Sequence, residues 1–532
     1  MKSVQFNISL KIVLFGLLLL LLGYLFPFLE ILDMDYIKRF VGTSGGDTIL
    51  KPLERSALFA IFTSIITVTL ALGISLALKR VSLGSTKAIF LNVLLLPVVL
   101  GNLSTAFLFK LIFFKYSIVP ESSLSIFILS GLIYFWQYGT LFIYVFWLNQ
   151  QMVSKQGLQF GKAVKLTPFE SSRDLVLPRQ YSLYILLSVV CYLLSFYEDI
   201  KFAFIFKSSR GNDTELISQW LNRSFHSAST VNPDFGFKYI AGAAVIVILV
   251  ALGILLLLVG FELYVYSKIL RTKRSVSFLK SIERSSSFLV YFLVFFIVTP
   301  LAIVLSNYTS IVNFNSSTLS TPFSLTVLAS LAATVVAVLF SIVSRVVWKK
   351  TLSNLNKKSI LFLGVILMLL LVPPLVILIS GFKWMRTLAY DSGSLIHIIW
   401  IAGHIILSFP LLASFSVAAH FKVQKNSIDF ATAHSIGYLE QFRDLFWGPM
   451  RLDYFFLFIL SFSTIWNEAT INRILSDVIP SFAVELNKSI TGQGTDYGIA
   501  MQFLYISVFL SILSIGIWSG VISKIQKQRE SA

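Results

Sequence analysis

Apolar residues in this chain fall in long unbroken runs, with polar residues as punctuation between them. The runs show neither the alternation of a half-buried strand nor the one-sided period of a surface helix. A helix crosses the hydrocarbon core of a bilayer in about 20 apolar residues. The runs predict twelve such helices, at 10–29, 56–78, 88–113, 123–149, 181–206, 239–267, 287–306, 323–348, 359–382, 394–420, 451–475 and 497–523. The first follows Lys2 and Lys11, as a signal peptide would. Its apolar stretch is longer than a signal segment and no small-residue cleavage site follows, so it is expected as an uncleaved helix.

Composition supports the same class. Of 532 residues, 56% are hydrophobic and only 13% charged, with a mean hydropathy of +0.82. A soluble domain carries roughly 25% charged residues. A cytosolic enzyme, a disordered chain and a secreted disulfide scaffold are thereby excluded. Cys191 is the one cysteine and lies in an apolar run, so it reads as a small packing residue. The five histidines have no metal-ligand spacing, and no metal site is expected. The net charge of +18 would suggest nucleic acid in a soluble protein. With a cytoplasmic N-terminus, however, 28 of the 43 Lys and Arg residues fall in inside segments. Orientation by the positive-inside rule then accounts for the basic excess, no nucleic-acid partner is needed, and both termini are expected in the cytoplasm.

A repeat runs through the chain. The inside loops 150–180 and 422–450 are each about 30 residues long, and each follows the fourth span of a six-span half. FESSRDLVLP at 169–178 and LEQFRDLFWGP at 439–449 share an acidic residue, then Arg-Asp-Leu, then a proline. The helices that follow both run to a glutamate, Glu198 and Glu468, 270 residues apart. The expected fold is an all-α membrane protein of about 12 transmembrane helices in two homologous six-helix halves. Residues 1–268 form the first, 269–286 a basic cytoplasmic linker, and 287–532 the second.

This pattern resembles the permeases of type I ABC importers, which carry E-A-A-x-x-x-G, nine residues and I-x-L-P in that loop. In the second loop Ala431-Thr432-Ala433 and Gly437 match the front of the motif, with Ala431 in place of the glutamate, and Pro449 stands one residue early. In the first loop Leu177-Pro178, preceded by Thr167-Pro168-Phe169, match the back, while Lys165 and Gln159 replace the glycine and the glutamate. The arrangement is similar to the fused two-domain permeases of iron(III) and thiamine importers. The resemblance implies that Thr167, Pro168, Phe169, Leu177, Pro178, Ala431, Ala433, Gly437 and Pro449 couple the chain to two cytoplasmic ATPase subunits. It also implies a bacterial inner-membrane location and an extracytoplasmic binding protein that delivers the solute. ATP would be bound by the partner subunits, because the chain has no G-x-x-x-x-G-K-[ST] and no cofactor of its own is expected. Locally, 427–436 is expected as a short helix, Gly437 as its left-handed stop, and proline as the end of a second short helix.

Glu198, Asp199, Asn467 and Glu468 gather at the predicted outer ends of spans five and eleven. They are candidates for the mouth of a translocation pathway, and ordinary interfacial residues are the competing reading. An ion-coupled secondary transporter with 6+6 helices is the alternative function. It would need an intramembrane acid, and Glu262 is expected instead to pair with Lys268 or face the headgroups. A membrane enzyme would need clustered Asp, Glu, His or Arg at one face, and no such cluster stands out, so no covalent chemistry is expected. His404 reads as a packing histidine. The outer loop 207–238 reads equally as a plain surface loop or as a dock for the binding protein.

Overall fold

A computed structural model describes residues 44–78, 93–118, 122–151, 177–198, 215–221, 233–271, 286–307, 316–347, 393–420, 442–468 and 504–513, with isolated residues between them. All regular structure among them is helical. The helices are α1 Ser44–Leu78, α2 Leu96–Leu100, α3 Asn102–Lys115, α4 Ser123–Tyr134, α5 Thr140–Gln151 and α6 Leu177–Phe196. They continue with α7 Pro233–Arg271, α8 Ser286–Asn307, α9 Ser316–Val347, α10 Gly393–His420 and α11 Gly448–Trp466, then α12 Leu504–Leu513. Six stretches are long and apolar enough to cross a bilayer: Thr48–Leu78, Leu124–Trp147, Lys238–Val265, Phe288–Ser306, Ser320–Ile342 and Trp400–Val417. The protein is therefore an all-α, multi-pass membrane protein. Lipid offers backbone groups no hydrogen bonds, so apolar runs of this length satisfy them internally as helices.

Those six stretches fall on the spans expected at 56–78, 123–149, 239–267, 287–306, 323–348 and 394–420. The spans expected at 10–29 and 359–382 lie outside the described residues. Three others meet shorter apolar helices, Leu183–Phe196, Asp453–Trp466 and Leu504–Leu513. The span expected at 88–113 is broken. Gly101 separates α2 from α3 with φ 81 and ψ 173, a conformation that only glycine adopts without strain. The freed backbone is held locally: Gly101 N–H donates to the Val98 carbonyl, and Thr105 Oγ1–H donates to the Gly101 carbonyl at 2.6 Å.

The helix that runs from α4 into α5 starts at a serine capping box. Ser122 Oγ accepts from Ser125 N–H and Ser125 Oγ accepts from Ser122 N–H, each at 3.2 Å. Between α4 and α5 the helix widens into a π turn, Phe135–Gly139. A side chain at Gly139 would overlap the Phe135 ring.

The chain forms two compact units of non-contiguous segments. One comprises 48–220, 249–312 and 501–532. Its helices are joined by polar contacts between otherwise apolar faces. Trp136 Nε1–H lies between the Phe296 and Ile297 carbonyls of α8 at 3.2 and 3.3 Å. Tyr192 of α6 donates to the Ala251 carbonyl of α7 at 3.2 Å, and Tyr505 of α12 to the Leu305 carbonyl of α8 at 3.1 Å. Cys191 is fully buried on α6 and faces α1. The other unit comprises 1–47, 221–248 and 313–500. Within it α9, α10 and α11 pack as a bundle sealed by aromatic pairs. Phe340 meets Phe409 edge-on, Phe323 meets Phe462 and Trp466, and Phe415 meets Phe456. His404 is buried against Trp400 of its own helix, with ring centroids 4.3 Å apart.

A stripe of small residues recurs along two helices. On α1 it runs Ser56, Ala60, Ser64, Thr67, Ala71; on α9 it runs Thr326, Ser330, Thr334, Ala337, Ser341. Each member of the second stripe stands 270 residues after its counterpart in the first, and all ten are buried. On α9 the hydroxyls of Thr326, Ser330, Thr334 and Ser341 donate to carbonyls four residues back, at 2.6–2.8 Å. Small side chains with their polar atoms already satisfied let neighbouring helices approach closely in lipid.

The break at Gly101 generates a prediction. Gly101→Ala places a side chain in a region reserved for glycine and costs about 1–3 kcal/mol. Thermal unfolding of the purified protein in detergent should show a lower midpoint, and an unchanged midpoint would mean that the break is not built in.

Candidate functional site

Of the two loops that resemble the coupling motif, the second, 422–450, is the better described. Phe430 and Ala433 are helical and His434 ends that turn, its N–H donating to the Phe430 carbonyl at 3.0 Å. The His434 ring lies over the Phe430 ring, centroids 3.9 Å apart. Ala431 and Gly437 lie outside the described residues. Glu440 is helical and exposed, and a π turn at Phe442–Trp447 runs directly into α11. Arg443 grips Asp444 in a two-pronged pair, Nε to Oδ1 at 2.8 Å and Nη2 to Oδ2 at 3.2 Å. These hydrogen bonds hold the Asp444 carboxyl below its ordinary value. The pair is therefore intact above the usual aspartate range and dissolves only as pH falls through that lowered value. Both side chains are exposed, so the pair orients the turn and adds little stability. Phe430 and Trp447 are large aromatics on the elbow that stand more than half exposed.

The prolines do the reverse of what the sequence suggested. They were expected to end the elbow. Pro449 instead lies in the first turn of α11 and Pro178 is the second residue of α6. Leu177 opens α6, while Thr167, Pro168 and Phe169 lie outside the described residues.

The two helices that leave the elbows end alike. α6 stops at Phe196 and α11 at Trp466, 270 residues later. Each is followed by one turn residue, Tyr197 or Asn467, and then by the glutamate. Glu198 N–H donates to the Ser195 carbonyl at 3.3 Å, and Glu468 N–H to the Ile465 carbonyl at 3.2 Å, the same bond in both. Asn467 adds a side-chain stop, Nδ2–H donating to the Ser463 carbonyl at 2.9 Å. α6 and α11 thus stop inside the spans expected to reach 206 and 475, whose remaining residues lie outside the described ones. The turn comes where polar side chains can satisfy the last carbonyls.

Glu198 is almost fully buried, as is Asn467, whereas Glu468 is half-buried and Asp199 lies outside the described residues. The Glu198 carboxylate accepts a hydrogen bond from the Tyr134 hydroxyl, with Tyr138 and Cys191 close by. Tyr134 stands ten residues inside the Leu124–Trp147 span, about 15 Å along the helix axis at 1.5 Å per residue. Glu198 thus meets a residue well inside the Leu124–Trp147 stretch. Tyr134 and Tyr138 lie one turn apart with ring centroids 5.0 Å apart, and Phe59 of α1 packs edge-on to Tyr134.

The segment 207–238 contributes to this cluster where it is described. Residues 217–221 form a short helix, and Leu216, Ile217 and Trp220 are buried. Leu216 joins Phe59, Ile126 and Tyr134 in one apolar cluster. Ile217 N–H donates to Ser56 Oγ at 2.9 Å, and Ser218 Oγ–H to the Tyr197 carbonyl at 3.0 Å. Where the loop is described it is a buried cap beside Glu198, not a surface loop. Its signal in the sequence is the apolar spacing of Leu216, Ile217, Trp220 and Leu221 within an otherwise polar stretch.

Glu262 is buried, and the side chain of Lys268, its expected partner, lies outside the described residues. The Glu262 side chain is only 5% exposed, and neither carboxylate oxygen meets a well-aligned hydrogen-bond donor. It faces Ser188 and Tyr184 of α6.

Fold and site together define a multi-pass helical membrane protein with a buried carboxylate–tyrosine cluster. Comparison with protein-family models, curated proteins and solved structures finds no match.

The Tyr134–Glu198 contact is testable. Tyr134→Phe leaves the ring in place and removes the donor, which should cost about 1–3 kcal/mol for a buried acceptor left unsatisfied. Denaturant unfolding in detergent micelles measures it, and wild-type stability would deny the bond any weight.

Proposed function

We propose that the chain is the transmembrane permease subunit of an ATP-driven ABC importer, built of two homologous six-helix halves. It would sit in a bacterial inner membrane with both termini in the cytoplasm. Two ATPase subunits would engage the elbows at 159–178 and 431–449. Their closure would pass through α6 and α11, which begin at those elbows and end at Glu198 and at Asn467–Glu468. A small solute delivered by an extracytoplasmic binding protein would cross by alternating access along a pathway that these residues line, with iron(III) and thiamine-like solutes as candidates. The chain itself would perform no covalent chemistry.

The observation that carries this reading is recurrence in register. α1 and α9 carry the same buried small-residue stripe, and the helix from Ser123 to Gln151 corresponds to Gly393–His420. α6 and α11 end on the same capped turn, all at an offset of 270 residues. Both α6 and α11 emerge from the loops that resemble the coupling motif. Phe430 and Trp447 supply exposed aromatic anchors of the kind that fill clefts in partner proteins.

The alternative of an ion-coupled secondary transporter is favoured by one observation, the burial of Glu262 within a span. Two measurements separate the readings. The importer should copurify with a separate ATPase. Replacing 431–449 by a flexible Gly/Ser segment should leave ATP hydrolysis running while uptake falls to background. Uptake by the purified chain alone, reconstituted without any ATPase and driven by an ion gradient, would overturn the importer.

In uptake assays on the complete transporter, Glu198→Gln and Glu468→Gln should each slow transport while ATP hydrolysis continues. Wild-type uptake in both would remove these carboxylates from the pathway.

A further inference from the structure

A second buried polar cluster lies apart from Glu198, against the middle of α6. Glu262 is near the end of the Lys238–Val265 span, and Tyr184 and Ser188 lie one turn apart in the middle of α6. Thr69 of α1 joins them, its hydroxyl 2.9 Å from that of Tyr184. The four side chains grade from outside inward. Thr69 is exposed, Tyr184 partly buried, and Ser188 and Glu262 are buried. The contact of Tyr192 with Ala251 holds α6 and α7 together about one turn beyond Ser188. Side chains lean toward the N-terminus of their helix, so Glu262 points back into the membrane and toward Ser188.

Neither Glu262 carboxylate oxygen meets a well-aligned hydrogen-bond donor, Ser188 is the hydroxyl beside them, and the Lys268 side chain lies outside the described residues. A carboxylate anion in such a place would bear a desolvation cost that no described group around it offsets. The neutral acid fits, because its O–H can donate to Ser188 Oγ while its carbonyl accepts from the serine. Tyr184 is the titratable group that faces it from α6. From α1 the line ends at Thr69, which does not titrate.

We propose that Glu262, Ser188, Tyr184 and Thr69 form a proton-binding site within the membrane. The bound proton rests on the Glu262 carboxyl, and the Tyr184 and Thr69 hydroxyls are its route to the protein surface. Its occupancy is linked to the packing of α6 against α7: the neutral acid favours the closed pair, and parting the pair would wet the carboxyl and release the proton. The site stands whichever energy source drives transport, and its test does not depend on the importer reading.

The test is infrared spectroscopy of the purified chain in lipid nanodiscs at neutral pH. Wild-type protein should show a protonated-carboxyl C=O band that is lost in Glu262→Gln and retained in Glu198→Gln. Ser188→Ala, a small change that preserves packing volume closely, should shift that band by removing its hydrogen-bond partner. Circular dichroism and gel filtration establish that each variant is folded before its spectrum is read. Absence of the band in folded wild-type protein, or a band unaltered in both Glu262→Gln and Ser188→Ala, overturns the proposal.

Discussion

A backbone carbonyl inside a bilayer has no water to turn to, and this constraint organises the described parts of the protein. Apolar runs answer it by closing every carbonyl within a helix. Where the helix is interrupted, the freed groups are met locally. At Gly101 the chain turns through a glycine conformation while the Val98 carbonyl receives an amide, and the Thr105 hydroxyl covers the Gly101 carbonyl. At Phe196 and Trp466 the last carbonyls are reached by the amides of the turns and, in α11, by the side chain of Asn467.

The same constraint explains why so many buried hydroxyls bind their own helix. Ser195, Thr326, Ser330, Thr334, Ser341 and Ser408 each donate to a carbonyl four residues back. These residues present neighbours with a small, internally satisfied surface, and helices can pack closely without a hydrophobic drive between them. Polar groups that are not handled in this way stand out. Two of them are carboxyls beside α6, Glu198 with its tyrosines just past its end and Glu262 with Ser188 near its middle. One is bonded by a tyrosine and the other faces a serine.

The 270-residue offset links the local pieces of the chain. The loops signalled it through a shared Arg-Asp-Leu and a proline. The helices carry it in a second form that the loops did not reveal, a small-residue stripe in register on α1 and α9 and a common stop on α6 and α11. The two elbows differ in detail, since Lys165 stands where the motif has its glycine. Pro178 and Pro449 each stand at the second position of the helix that follows the loop.

Fold class was legible in the sequence alone, because burial in lipid is a matter of composition over about 20 residues and needs no partner. The six long spans, the packing of Cys191 and His404, and the glutamates that follow α6 and α11 could all be read from the linear order. What folding alone decided is depth and contact. Whether Glu198 meets water or Tyr134, whether Glu262 reaches a headgroup or Ser188, and whether 215–221 lies on the surface or plugs a gap depend on which helices are neighbours. Those contacts join residues more than sixty positions apart, and no local pattern of apolar and polar residues encodes them.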